Sequence, residues 1–233
     1  NGSGKTTLLR LLMGEAVPDD GGIEKPDYAT VGYLPQDGVH ASGGTVREEA
    51  GKAFSGVAEL KAKLDEAEAK LAELDPEDEE FYDLIDLMGG WETQLSSFEP
   101  EKMNSRIEKV LMGMGFSKED IERPVEEFSG GWQMRIALGK LLLQVPSLLI
   151  LDEPTNHLDL TMIEWLEDYL SASSMTLFMV THDRYFLESV CDVILELDEK
   201  NLYKYNGNFS YYLYKKAERQ EQLASSIEKA QNT

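Results

Sequence analysis

The run Ser147-Leu148-Leu149-Ile150-Leu151 is apolar after its first residue and stops on two carboxylates, Asp152 and Glu153. A short strand apolar at every position has no face left for water, so it belongs inside a parallel sheet covered on both sides. Met175 to Val180 is a second such run, and Tyr28 to Leu34 reads as a third strand that delivers Pro35 and Gln36. Helical patterns alternate with all three. The fold class is therefore α/β, with a parallel-sheet core. Sheets of this kind hold their ligands at the C-terminal ends of the strands, where Asp152 and Glu153 stand.

The chain opens on Asn1-Gly2-Ser3-Gly4-Lys5-Thr6-Thr7, followed by a helix carrying Leu8, Leu9, Leu11, Leu12 and Met13 and ending at Gly14. Glycines ahead of a helix let successive backbone N–H groups turn inward around phosphate oxygens, where the helix dipole favours an anion. These seven residues match the later part of a P-loop pattern, whose first glycine lies upstream, so the chain reads as a piece cut at both ends. In that pattern Lys5 reaches the β- and γ-phosphates, the Thr6 hydroxyl coordinates Mg²⁺, and Thr7 donates to the α-phosphate. Asp152 would hold the same Mg²⁺, and Glu153 would orient the attacking water or accept its proton. His182, in Val180-Thr181-His182-Asp183, could bridge the γ-phosphate and that water, since neutral imidazole both donates and accepts. Gln36 could meet Mg²⁺ and water through its amide. A second helix start, Phe128-Ser129-Gly130-Gly131-Trp132-Gln133, offers another anion site with Ser129 as N-cap. Two such helix starts suggest two phosphate encounters.

Between the Gln36 loop and Ser129 the pattern changes. Val57, Leu60, Leu64, Ala67, Leu71 and Leu74 recur in steps of three and four, which is one face of a helix. The acidic, proline-containing run from Asp75 to Glu80 breaks it. A second stripe follows with Phe81, Leu84, Met88, Trp91, Leu95 and Phe98, so the two helices should fold back as an antiparallel hairpin. Gly89-Gly90 is expected to interrupt the second helix, because two glycines cost about 2 kcal/mol there relative to alanine. From Glu59 to Glu80 ten acidic residues stand against three basic ones, either as a solvated face or as an arm that touches a partner. Beyond it, Ile107, Val110, Leu111 and Met114 mark an amphipathic helix from Met103, and Ser117 to Asp120 reads as a capping box.

The net charge of −22 argues against broad capture of nucleic acid by this piece. No apolar stretch approaches the roughly 20 residues needed to span a bilayer, so membrane insertion is not expected. Cys191, the single cysteine, has no partner for an internal disulfide. One segment runs against the acidic trend: Tyr203 to Arg219 carries Lys204, Lys215, Lys216 and Arg219 against Glu218, with six aromatics interleaved. Either these pack against the domain, or they begin a linker that meets RNA.

The ordered set of P-loop, Gln36, Ser129-Gly130-Gly131, Leu151-Asp152-Glu153-Pro154-Thr155-Asn156-His157-Leu158-Asp159 and His182 resembles an ATP-binding-cassette (ABC) ATPase domain. The resemblance covers essentially the whole chain. It is nearer to the ABC-F branch than to transporter domains, because Trp132 stands after Ser-Gly-Gly and because of the endings His182 to Leu187 and Tyr205 to Tyr212. It implies an ATP hydrolase of P-loop ABC type with ATP and Mg²⁺ as cofactors. Gln36 would be the Q-loop, Asn156 to Asp159 the D-loop and His182 the switch histidine. Ser129, Gly130 and Gly131 would close over ATP held by a second, similar domain, elsewhere on the same polypeptide. The residue that stacks on adenine and the strand before the P-loop would lie upstream.

The implied organisation is an ATP-binding core at 1–45 and 124–206, a helical subdomain at 46–123 with its arm at about 57–98, and the start of an interdomain linker at 207–233. ABC-F proteins lack membrane segments and many act on ribosomes. The resemblance thus implies a cytoplasmic (or organelle-stromal) protein that meets ribosome or RNA through arm and linker. The alternative is the nucleotide-binding subunit of an ABC membrane transporter. A DNA-maintenance ATPase would need a far longer coiled coil than this hairpin, and a non-hydrolysing scaffold would not need Lys5, Asp152, Glu153 and His182 together.

Overall fold

The computed structural model describes residues 4–35, 43–97, 102–198 and 201–231. Helix α1 (Lys5–Met13) ends at Gly14, whose left-handed backbone lets its N–H close on Leu11 O at 3.0 Å. Strand β1 (Val31–Leu34) follows, shorter than the expected Tyr28–Leu34. Helix α2 (Val46–Gly51) starts at a capping box between Thr45 and Glu48. Then come α3 (Gly56–Leu71), α4 (Glu79–Ser97), α5 (Met103–Gly113), α6 (Lys118–Ile121) and α7 (Gly130–Gln144). Strand β2 (Leu148–Asp152), α8 (Leu160–Ser171), β3 (Thr176–Val180), α9 (Arg184–Val190), β4 (Val193–Asp198), β5 (Asn201–Asn206) and α10 (Phe209–Gln231) complete the order.

The strands β1, β2 and β3 form one parallel sheet with β2 in the middle. Leu149, Ile150 and Leu151 are fully buried there, as an all-apolar strand requires. Parallel pairing puts the ends of all three strands on one edge: Leu34 lies beside Leu151, and Asp152 beside Val180. Strands β4 and β5 form a separate antiparallel pair.

The core continues from the sheet into the helices. Val110, Leu111, Met114, Ile136, Leu142 and Leu143 share one cluster with Leu149 and Leu151, each side chain contributing about 1.5–3 kcal/mol by leaving water. Helix α7 packs on α2, α5 and β1. Glu49 on α2 is buried, and its carboxylate binds Lys140 on α7 at 2.9 Å and Lys52. Burial pushes the Glu49 carboxyl up, but the two ammonium groups outweigh it and hold it below its ordinary range. The capping box at Ser117 and Asp120 forms as its sequence predicts.

Helices α3 and α4 pack together as the expected hairpin, and Lys70 Nζ meets Glu80 Oε1 at 2.6 Å near its turn. Leu64 and Ala67 are buried in the seam, and Phe81, Leu84, Met88, Trp91 and Leu95 are half-buried. Phe98 lies outside the described residues. The expected interruption at Gly89-Gly90 is corrected: α4 runs unbroken from Glu79 to Ser97. Gly90 answers to packing rather than to a break, because the ring of Tyr28 fills the space a side chain there would need.

Candidate functional site

Glu153 follows β2 in the left-handed region, with φ 51° and ψ 52°. That conformation costs a residue with a Cβ about 1–2 kcal/mol, so its surroundings must hold it there. They do so through β3: the Glu153 N–H donates to Val180 O at 2.7 Å. The resulting turn swings the carboxylate toward the residues after β3. Its Oε2 accepts the main-chain N–H of His182 at 3.2 Å, and its Oε1 lies 3.4 Å from His182 Nε2. Glu153 is 10% exposed at the side chain and His182 84%. A sheltered carboxylate therefore sits beneath an imidazole open to solvent, at the sheet edge where Asp152 ends β2 half-buried.

Beyond Glu153, the 3₁₀ turn Pro154–His157 leads to Asp159, whose carboxylate caps α8 by accepting Met162 N–H at 3.1 Å. After His182, Asp183 caps α9 by accepting from Tyr185 and Phe186. Both segments that flank the carboxylate are thus tied to helix starts, which fixes their backbones.

Gly4 precedes α1 with φ 92°, a conformation that suits glycine alone, and a Cβ there would lie 3.2 Å from Leu197 of β4. Gly4 has no side chain with which to cap this helix, and an uncapped helix start offers its first-turn N–H groups to an anion. Lys5 is half-buried, and Thr6 and Thr7 are exposed. Asn1, Gly2, Ser3 and Gln36 lie outside the described residues.

Ser129 occupies the N-cap position of α7 in an extended conformation, but its hydroxyl makes no capping hydrogen bond. Ser129 and Gly130 are exposed and Gly131 half-buried. Beneath them Phe116 packs edge-on against Phe128 and Trp132, with ring centroids 5.5 and 4.9 Å apart. Sequence reasoning passes over one residue here. Arg135, one turn into α7, stacks on Trp132 at 4.3 Å and donates from Nε to His157 O at 2.9 Å. It stands two residues past the run Phe128 to Gln133, but nothing in the order of residues says which carbonyl it reaches.

The aromatic and basic stretch near the C-terminus is used within the fold. Glu196 on β4 accepts from Tyr205, Tyr212, Arg219 and Lys216, and so fastens α10 to the β4–β5 pair. Burial pushes the Glu196 carboxyl up, yet the lysine and the two phenols together hold it below its usual range. Tyr212 packs on Tyr205 and Phe209. Lys204, Tyr211 and Tyr214 remain exposed.

No group of three or more His, Cys, Asp or Glu among the described residues forms a metal cage. Asp152 and Thr6 offer hard oxygen donors, which fit Mg²⁺ when phosphate oxygens and water complete the shell, as that ion favours. No helix among the described residues is long and apolar enough to cross a membrane.

Comparison with known proteins agrees with this fold. A family model described as ABC transporter matches residues 1–156, and a second of the same description matches 195–233. The chain is 39% identical over 240 residues to ABC transporter F family member 5 of Arabidopsis thaliana, covering 99% of this chain and 34% of the relative. It is 40% identical over 221 residues to the energy-dependent translational throttle protein EttA of Mycobacterium tuberculosis, covering 94% and 38%. The chain thus spans little more than a third of the length of these curated relatives. Among solved structures, an ATP-binding subunit of an ABC transporter superposes with a TM-score of 0.58 at 18% identity, over 88% of this chain and 75% of that one, which shows a shared fold.

Proposed function

The chain belongs to the ABC transporter family, and from that premise we propose that it binds ATP with Mg²⁺ and hydrolyses the terminal phosphoanhydride. The observation that carries this reading is Glu153, sheltered, held by a strained backbone and aimed at His182. Strain of this kind is kept where a group has to be aimed.

In this reading the α1 N–H groups and Lys5 bind the phosphates, Asn1 to Ser3 complete the loop, and Thr7 donates to the α-phosphate. Asp152, Thr6 and Gln36 would hold Mg²⁺, which when bound would supply charge neutralisation to the phosphates. Glu153 accepts the proton of the attacking water or orients it, a contribution of about 10²- to 10⁴-fold. His182 places its ring between that water and the γ-phosphate.

Ser129, Gly130 and Gly131 engage the γ-phosphate bound to a second ABC domain of the same polypeptide, so closure depends on a group that ADP lacks. The core comprises 1–45 and 124–206, the helical subdomain 46–123, and the linker starts at 207. The target is the ribosome, met through the α3–α4 arm and the linker, and the protein works in the cytoplasm. Two features support an ABC-F protein over a transporter subunit: the relatives named above, one of them a translational throttle protein, and the helical arm itself.

Glu153→Gln in the full-length protein tests the chemistry. It should keep ATP affinity, abolish phosphate release and accumulate a closed, ATP-bound form. Normal turnover would remove Glu153 from the mechanism. Sedimentation with ribosomes that requires ATP and weakens with salt tests the target, and no ATP dependence would count against it.

A further inference from the structure

The turn Pro154–His157 leaves directly from Glu153, and α7 begins directly after Ser129. These two pieces of the proposed site are far apart in sequence, and Arg135 joins them. Its Nε donates to His157 O at 2.9 Å, while its guanidinium lies over the Trp132 indole at 4.3 Å. Trp132 packs edge-on against buried Phe116. The arginine is therefore held from below by the core and grips the turn from above. Gly131 borders the same turn, since a Cβ there would come within 3.7 Å of His157 Nδ1.

The chemistry of the bond matters. A guanidinium can stack flat on an indole and donate in its own plane at the same time, which a lysine ammonium cannot do. The two ends of the turn are secured elsewhere, by Glu153 N–H on Val180 and by the Asp159 cap of α8. Arg135 secures its last residue, His157, between those two anchors.

We propose that Arg135 is a positioning residue that makes the Ser129-Gly130-Gly131 loop and the Glu153 turn move as one body. Engagement of that loop by a nucleotide on the second domain then sets the aim of Glu153 toward the nucleotide of its own domain. Arg135 touches neither ATP nor water in this scheme and acts through His157 O. The proposal deepens the ATPase reading and rests on it for its functional half.

The test uses Arg135→Gln and Arg135→Lys in the full-length protein, with two readouts. In both variants kcat should fall by about 10- to 100-fold while ATP affinity stays near wild type, because misplacement of a catalytic group costs on that scale. Amide hydrogen exchange across residues 154–158 should quicken with little change in Tm, and lysine should not restore it. Wild-type kcat in Arg135→Gln overturns the proposal, and so does unchanged exchange across 154–158. The ATPase reading is scored separately, by phosphate release from wild type against Glu153→Gln. If wild type releases none, that reading falls, and the exchange measurement alone still decides whether Arg135 holds the turn.

Discussion

The ring of Tyr28 lies against the backbone of Gly90, so close that a Cβ on residue 90 would fall within 2.6 Å of Tyr28 Cδ2. Tyr28 stands just before β1, and Gly90 stands in the middle of α4, so the second helix of the arm is seated on the entrance to the sheet. Its neighbour Gly89 faces open space, and a methyl group there would meet nothing within 4 Å.

The two glycines should therefore respond in opposite directions. Gly90→Ala forces the tyrosine ring or the helix to shift and should cost about 1–3 kcal/mol. Gly89→Ala removes backbone freedom from the unfolded chain without a clash and should stabilise by about 0.5–1 kcal/mol. Urea unfolding of both variants checks this. Equal effects would mean that Tyr28 does not set the seat of the arm.

This pair also marks the limit of what periodicity reveals. The apolar runs identify β2 and β3 because a strand buried on both faces leaves a continuous signature, and the three-and-four spacing identifies the arm. Ser117 and Asp120 form their cap because capping is decided within four residues. Helix propensity misjudges Gly89-Gly90 because it counts local cost, whereas Tyr28 is distant in sequence. The pairing of Glu153 with His182 follows the strand ends, but the left-handed turn that aims the carboxylate is not legible in Asp-Glu-Pro. Lys216 and Arg219 look available for RNA in the sequence, and Glu196 binds both.

His182→Ala should lower kcat by about 10²-fold, the lower range for a positioned proton-transfer group. ATP affinity should hardly change, because residue 182 still donates its main-chain N–H to Glu153 Oε2. The loss should be smaller than that of Glu153→Gln, which removes the carboxylate charge itself. Single-turnover phosphate release beside equilibrium nucleotide binding separates the two effects. A large fall in affinity with unchanged kcat would place His182 in binding instead.

Burial, followed by the nearby Asp192 carboxylate, pushes the Cys191 thiol up to about 11. At pH 8 the native protein should react with a thiol reagent on the order of 10²-fold more slowly than a free cysteine of pKa near 8.5. The sign for stability follows from linkage. The unfolded thiol ionises first, so this contribution is intact below about pH 8.5 and declines as pH rises toward 11. Rapid native labelling at pH 8 would show that the thiol is not held this way.

Glu196 presents the opposite sign. Its folded carboxyl is depressed, because the lysine and phenol hydrogen bonds outweigh burial. Its stabilising effect is therefore full above the unfolded value of about 4.3 and is lost as pH falls through the folded value. Protonation leaves Lys216 facing a neutral acid and Arg219 with only its longer contact to Asp198 at 3.8 Å, so the two cations no longer share a charge. Helix α10 should then part from the β4–β5 pair in acid, since this carboxylate is what fastens it. Proteolysis across about pH 3–7, the range that brackets carboxylate titration, should show early cleavage near α10 in acid. Glu196→Gln should show it already at neutral pH, with little further change on acidification. An acid-resistant α10 in the wild type, or an unchanged profile in Glu196→Gln, would mean that the aromatic packing of Tyr205, Phe209 and Tyr212 holds the helix by itself.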